Sequence, residues 1–149
     1  MYVPILLGSE SDKAHAQKIA DVLTSFGVTT EFKVFSAHKV PEKLFAFIQE
    51  CNKKKGPIVY ITIAGRSNGL SGVTAGNAIH PVIACPPFAD KADYLVNIHS
   101  SLQMPSDTPA MTVIDPKNAA MAALRILALS DETLKKKVEA GIREMKAKF

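Results

Sequence analysis

The sequence lacks several features that mark whole classes of protein. It has no tryptophan, and its two cysteines, Cys51 and Cys85, stand too far apart in the chain to form a metal-binding pair. No apolar run approaches the roughly 18 residues of a membrane-spanning helix, and the apolar stretch Tyr2–Leu7 stops too soon at Gly8 to be a signal-peptide core. We therefore expect a soluble, cytoplasmic protein with both thiols reduced and buried.

Three catalytic signatures are also missing from the sequence. Because it has no Walker loop and no G-x-G-x-x-G fingerprint, nucleoside triphosphates and dinucleotides are disfavoured as ligands. No pair of histidines, carboxylates or thiols has metal-ligand spacing. We expect a site that holds no metal and forms no covalent intermediate.

Positive charge exceeds negative charge only modestly. The 18 Lys and Arg against 14 Asp and Glu leave a net charge of +4, which suits an anionic ligand. The basic residues are densest at Lys53–Lys55 and Lys135–Lys148, where no aromatic residues interleave and Glu139 and Glu144 interrupt the second run. These clusters are more typical of solvated helix faces than of a nucleic-acid footprint, so we expect neither a nucleic-acid nor a membrane partner.

The sequence does contain a regular alternation of strand-like and helix-like segments. Apolar or alternating runs predict five strands, at Tyr2–Leu7, Val28–Phe35, Pro57–Ala64, Pro81–Cys85 and Ala110–Ile114. Segments with helical periodicity or small residues follow them, and the 149 residues suit one domain over residues 1–149. This order predicts a three-layer α/β/α fold with a doubly wound, flavodoxin-like parallel sheet.

The helices have recognisable ends. Gly27 stands where the first helix would stop in a left-handed cap, and Pro41 suits the first turn of the second. One helix is expected over about 91–102 and another over about 117–129. An additional amphipathic helix over about 131–148, capped by Ser130, lies outside the alternation and is a candidate for a subunit interface.

Four polar segments each follow directly on a predicted strand. They are Gly8–Asp12, Ser36–Lys39, Gly65–Gly69 and Cys85–Pro87. The carboxyl ends of parallel strands share one edge of a sheet, and open α/β sheets bind ligands in the crevice at that edge. We therefore expect residues spread over nearly eighty positions to form one site.

The first two segments suggest a bound anion and a base. Gly8, Ser9, Ser11 and Asp12 join a strand to a helix start, where free amides favour a phosphate, although Ser11 or Asp12 could simply cap the helix. His38 can accept a proton near neutral pH, and the neighbouring Lys39 would hold an anionic group. The other histidines fall within or against predicted helices and strands, which favours His38 over a plain surface histidine.

The third segment combines glycines with hydrogen-bonding side chains. Gly65 and the glycines that follow it let backbone approach a ligand and present amides to a carboxylate. A plain turn would not need Arg66, Ser67 and Asn68, which bring a guanidinium, a hydroxyl and an amide. With Ser36 and His38 from the second segment, these groups suit proton transfer on a phosphorylated small molecule.

Five segments, taken in order and spacing, resemble the PurE family of purine biosynthesis, from about Tyr2 to Leu129. They are Gly8-Ser9-Glu10-Ser11-Asp12, Ser36-Ala37-His38-Lys39-Val40-Pro41, Ala64-Gly65-Arg66-Ser67-Asn68-Gly69-Leu70, Cys85-Pro86-Pro87 and Ser100-Ser101-Leu102-Gln103-Met104-Pro105. Any one of these segments is a weak signal. Five of them in order are highly specific.

The second and third segments resemble the class II branch of that family, which carboxylates aminoimidazole ribonucleotide (AIR) with carbon dioxide. In the other branch, a mutase moves a carboxylate from the exocyclic nitrogen to the ring carbon. There the position of Lys39 usually carries arginine, and the third loop contains a second histidine, which this sequence lacks. The carboxylase is therefore favoured, with the mutase and a non-catalytic phosphometabolite-binding module as alternatives.

The resemblance also implies roles and partners. It implies that Ser9, Ser11, Asp12 and Lys39 hold the ribose phosphate, and that Ser36, His38, Gly65 and Ser67 surround the imidazole and the carboxylate. It implies a homo-oligomer, an octamer or a tetramer, with sites near subunit contacts. Carbon dioxide would be the co-substrate, and no metal, biotin or ATP is expected.

Overall fold

Five parallel strands form one sheet in the order β2-β1-β3-β4-β5. The computed structural model describes all residues from Met1 to Phe149. The strands are β1 Tyr2–Leu7, β2 Thr29–Val34, β3 Tyr60–Ile63, β4 Val82–Ala84 and β5 Ala110–Thr112. Each neighbouring pair is parallel, which confirms the predicted flavodoxin-like, doubly wound sheet.

Seven helices and one 3-10 turn surround this sheet. The 3-10 turn is Glu10–Asp12, and the helices are α1 Lys13–Ser25, α2 Pro41–Asn52, α3 Gly69–Asn77, α4 Lys91–Asn97, α5 His99–Leu102, α6 Pro116–Leu127 and α7 Glu132–Lys146. One buried cluster joins one sheet face to α1, α6 and α7, and a second joins the other face to α2 and α3. The predicted three layers are thus confirmed.

The β1 strand shows why an unbroken apolar run predicts a central strand. Val3, Ile5 and Leu7 pack into the larger cluster, whereas Leu6 lies on the opposite face in the smaller one. Side chains alternate between the faces of a strand, so a sheet covered on both sides needs apolar residues at every position. All of β1 after Tyr2 is buried.

Several local predictions differ from the structure in detail. The helix expected over 91–102 is divided into α4 and α5 at Ile98, where the backbone itself stays helical and the Asn97 carbonyl accepts the Ser100 hydroxyl at 3.0 Å. Such side-chain bonds compete with helix hydrogen bonds. Ser130 does not cap α7, because Asp131 accepts the Leu134 amide at 2.6 Å while the Ser130 hydroxyl donates to Leu127. Four of the strands, β2 to β5, are also shorter than predicted.

Part of the apolar stripe of α7 is covered by its own chain. Leu134 and Val138 are 2% and 6% exposed and belong to the larger buried cluster. Met145, further along the helix, is half exposed. A subunit contact at this helix stays a prediction, and it would involve the end of α7 rather than these two residues. No helix of the protein has the length and apolarity to span a membrane.

Both cysteine thiols are fully buried, as predicted. Burial, together with the negative charge of Asp115, raises the pKa of the Cys85 thiol to about 12. The reactive thiolate is therefore scarce at neutral pH. We expect an aromatic disulfide reagent to label neither cysteine in the native protein and both in urea, measured by absorbance. Rapid labelling of the native protein would contradict this.

Candidate active site

A cavity of about 540 Å³ opens at the carboxyl edge of the sheet. It is formed by the segments that follow β1, β2, β3 and β4, joined by Leu70 of α3 and Asp93 of α4. Ligand pockets in proteins commonly enclose about 300–1,000 Å³. The convergence that the strand pattern predicts is therefore present, and the cavity has the size of a small-molecule site.

The cavity brings together every predicted site residue except Lys39. Those that line it are Gly8, Ser9, Ser11, Asp12, Ser36, His38, Gly65, Arg66 and Ser67. His38 is the only histidine among the lining residues. Lys39 is exposed beside His38 but does not line the cavity. Its contact with a phosphate stays a prediction.

The segment after β1 is ordered by hydrogen bonds among its own side chains. The Ser9 hydroxyl accepts the Ser11 amide at 3.3 Å, and the Asp12 carboxylate accepts the Ser9 amide at 3.0 Å. Ser9, rather than Ser11 or Asp12, thus supplies the cap hydroxyl, in a capping box at the 3-10 turn. Burial raises the pKa of Asp12, and the hydrogen bond from Ser9 opposes this. The capping and phosphate-binding interpretations are compatible, because the Ser9 and Ser11 side chains still line the cavity.

The segment after β2 is a tight turn that carries His38 at its centre. The Ser36 carbonyl accepts the amides of Lys39 at 3.2 Å and Val40 at 2.9 Å. His38 lies inside this turn and is exposed toward the cavity that it lines. The turn therefore presents an imidazole directly to any molecule in the cavity.

The segment after β3 offers amides without protein partners. The amides of Gly65, Arg66 and Ser67 donate to no protein acceptor, whereas the next amide, that of Asn68, donates to the Ser100 hydroxyl at 2.9 Å. Ser67 has a φ of 46°, in the left-handed region that side chains disfavour. Successive free amides in such a turn form a concavity suited to an anion. Strained residues of this kind concentrate at functional sites.

Asn68 fixes this segment to the rest of the fold. It is 4% exposed, and its carbonyl oxygen accepts the Ser71 amide at 3.1 Å and hydroxyl at 2.9 Å. Its amide group donates to the Ser101 hydroxyl at 2.9 Å. The side chain thus caps α3 and ties it to α5, which holds the third segment in place. The sequence suggested a ligand-facing role for Asn68, but the structure buries it behind the cavity wall.

We expect Asn68→Ala to lower the free energy of unfolding by about 2–4 kcal/mol, because it removes a helix cap and leaves buried groups without partners. Urea unfolding followed by circular dichroism measures this. Asn118→Ala is the matched control, since Asn118 is exposed and only its backbone amide is hydrogen-bonded. Equal stability of the two variants would contradict the structural role of Asn68.

The segment after β4 forms a wall of the cavity that the sequence analysis identified only in part. Phe88, Ala89 and Asp93 line the cavity, although only the preceding Cys85–Pro87 segment was singled out. The Asp93 carboxylate accepts the Ala89 amide at 2.8 Å and the Asn97 side-chain amide at 2.6 Å. The Ala89 bond, with smaller contributions from Asn97 and from the Arg66 charge, lowers the pKa of Asp93. The sequence signal that could have identified Asp93 is its position as an acidic residue in the first turn of a predicted helix.

Other titratable groups lie near this edge without lining the cavity. His15 Nε2 lies 3.4 Å from the Cys85 sulfur, and burial, with the charge of Lys18, lowers the pKa of that imidazole. No group of three or more His, Cys, Asp or Glu side chains is placed to hold a metal ion. The chemistry available in the cavity is therefore that of one imidazole, one guanidinium, two carboxylates, hydroxyls and free amides.

Comparison with known proteins identifies the family. The family model described as AIR carboxylase matches residues 2–148. Proteins named phosphoribosylaminoimidazole carboxylase from Archaeoglobus fulgidus and Treponema denticola are each 44% identical over 138 residues, covering 93% of this chain and 75% and 86% of theirs. The crystal structure of Treponema denticola PurE superimposes with a TM-score of 0.92 at 42% identity, over 99% of this chain and 92% of that one. The chain belongs to the AIR carboxylase family, which confirms the resemblance found in its sequence.

Proposed function

We propose that the protein carboxylates the ring carbon of 5-aminoimidazole ribonucleotide with carbon dioxide, giving 4-carboxy-5-aminoimidazole ribonucleotide in purine biosynthesis. The observation that carries this proposal is the meeting of the His38 imidazole with the free amides of Gly65–Ser67 in one cavity. The first is a base, and the second is a carboxylate site. Both are needed where a carbon gains a carboxylate and loses a proton.

The substrate brings its own nucleophile to this reaction. The aminoimidazole ring is an enamine, so its ring carbon attacks carbon dioxide and forms the new carbon–carbon bond, while one carbon–oxygen π pair moves onto oxygen. The product of attack is a tetrahedral ring carbon that still bears its hydrogen. His38 removes that proton, and the released pair restores the aromatic ring.

The third segment stabilises the charge that develops on the carboxylate. Preorganised amides aimed at a developing oxyanion are a large source of rate enhancement. The amides of Gly65, Arg66 and Ser67 and the Ser67 hydroxyl serve this purpose, and Ser36 binds beside the ring. In the reverse reaction His38 returns the proton to the ring carbon, and carbon dioxide leaves.

The first segment anchors the ribose phosphate. Gly8, Ser9 and Ser11 supply backbone and hydroxyl donors to its oxygens, and Arg66 and Lys39 supply positive charge. Asp12, an acceptor, suits a hydroxyl of the sugar. Because the enamine and His38 supply the electrons and the base, the reaction is proposed to use no metal, biotin or ATP.

The enzyme is further proposed to act in the cytoplasm as a homo-oligomer, an octamer or a tetramer. Several large apolar side chains are exposed, among them Ile79, Val96 and Leu129 at 73%, 72% and 88%. An assembly that covers side chains of this kind would remove apolar surface from water. Sedimentation would measure the assembly.

The test is an absorbance assay supplied with AIR in one set of reactions and with the nitrogen-carboxylated ribonucleotide in another. The carboxylase proposal expects product from AIR at a rate that rises with added bicarbonate. Product only from the nitrogen-carboxylated ribonucleotide would favour the mutase. Binding without turnover of either ribonucleotide would favour a binding module, for which Lys39→Ala would weaken binding and His38→Asn would not.

A further inference from the structure

The imidazole of His38 is not oriented by a hydrogen bond within the protein. Among the four histidines, only His15 has a ring nitrogen within hydrogen-bond distance of another protein group. Catalytic bases are usually oriented by a third group, such as a carboxylate behind the imidazole. The orientation of the His38 ring must therefore be set by van der Waals contact with neighbouring atoms.

That contact is with the bare backbone of Gly69. A methyl group built on Gly69 would lie 3.0 Å from Nε2 and 3.1 Å from Cε1 of His38, and 3.8 Å from Cβ of Ala37. Contacts of 3.0–3.4 Å are tighter than nine in ten real ones, so the imidazole would have to move by a few tenths of an ångström. The ring occupies the space that any side chain at position 69 would fill.

The backbone beneath the ring is well fixed. Gly69 is the first residue of α3, and its amide donates to the Ser67 carbonyl at 2.7 Å. The preceding Asn68 caps the helix and is tied to Ser101. A side chain added at Gly69 would therefore displace the imidazole rather than the helix.

Backbone conformation does not explain glycine at this position. Gly27 and Gly56 are the glycines with positive φ, so Gly69 has dihedral angles that alanine also adopts. Alanine has less backbone freedom to lose than glycine, so nothing in the helical conformation favours glycine here. A glycine that the backbone does not require points to the contact it leaves open.

We propose that Gly69 is a positioning residue for the reaction: the absence of a side chain there places the His38 imidazole where it can reach the ring carbon. The inference rests on the proposed role of His38 as the base. A displacement of about 1 Å in a catalytic group can lower turnover roughly 10²-fold, so a shift of a few tenths of an ångström should cause a smaller but measurable loss. The inference concerns turnover, because Gly69 itself does not line the cavity.

The experiment compares Gly69→Ala with Gly76→Ala, a control on the same helix. A methyl on Gly76 would meet the Thr108 methyl at 3.1 Å, a contact as tight as that of Gly69 but away from the cavity. We expect Gly69→Ala to lower kcat by roughly 3- to 10-fold with KM for AIR little changed, less than the roughly 10²-fold of a 1 Å misplacement. We also expect a shifted NMR resonance for the Cε1 proton of His38 and a cooperative thermal transition. Gly76→Ala should retain wild-type kcat and the native resonance.

Wild-type kcat in Gly69→Ala, or a loss of kcat with an unshifted His38 resonance, would overturn the inference. Loss of the thermal transition would also overturn it, because Gly69 would then be needed for folding. His38→Asn separates the two levels of the proposal. If His38→Asn is inactive while Gly69→Ala is fully active, only the positioning role fails; if both are active, the proposed base fails as well.

Discussion

Replacing His38 with Asn is expected to lower kcat by about 10²- to 10⁴-fold, the usual contribution of a well-placed general acid or base. Asn keeps hydrogen-bonding groups of similar reach but cannot accept the proton from the tetrahedral ring carbon. Binding of the ribonucleotide should change little, because the proposed phosphate site is the segment after β1. Steady-state carboxylation and calorimetric binding measure the two quantities separately.

The matched control is His99→Asn. His99 is exposed, starts the short α5 helix and does not line the cavity. This variant should keep wild-type turnover. The loss in His38→Asn would then be specific to the cavity and not a general effect of replacing a histidine. Near-normal turnover in His38→Asn, or an equal loss in both variants, would remove His38 from its proposed role.

Gly65→Ala is expected to cause the second large loss, at least about 10²-fold in kcat/KM, the effect of a misplaced site. A methyl group on Gly65 would lie 2.7 Å from the Pro87 carbonyl oxygen. Real methyl groups essentially never come that close, and a backbone oxygen cannot swing aside as a side chain can. The segments after β3 and β4 would have to move apart. Both the free amides and the cavity wall at Phe88 would then be displaced.

The same substitution should lower the free energy of unfolding by about 1–3 kcal/mol, the usual cost of overpacking. Gly141→Ala is the control, because its methyl would lie 3.8 Å from Phe26 in ordinary contact on α7. It should retain activity and gain stability from helix propensity. A fully active and stable Gly65→Ala protein would show that the two segments do not meet as described.

The sequence predicts the sheet well where burial dictates the pattern. The ends of β1 are found where the apolar run begins and stops, because a strand covered on both faces must be apolar throughout. The ends of the later strands are less well predicted. Pro57, for example, is apolar enough to extend a strand, but β3 begins only at Tyr60. The division at Ile98, next to the Asn97 carbonyl that pairs with the Ser100 hydroxyl, has no periodic signal in the sequence.

The gathering of the site is predictable for a topological reason. Parallel strands of a doubly wound sheet leave their connections at one edge, so residues as distant as Gly8 and Ser67 meet without any direct sequence relation. What the sequence does not reveal are contacts between these connections. The approach of Gly65 to Pro87 and the burial of Asn68 depend on tertiary packing that no local pattern encodes.

The most direct measurement is a crystal structure of the protein with AIR bound. The account predicts the phosphate among Gly8, Ser9 and Ser11, and the ring carbon about 3–3.5 Å from an imidazole nitrogen of His38, the distance of a reactive contact. It also predicts that the amides of Gly65–Ser67 face the same carbon. A ribonucleotide bound with its ring turned away from His38, or bound outside this cavity, would contradict it.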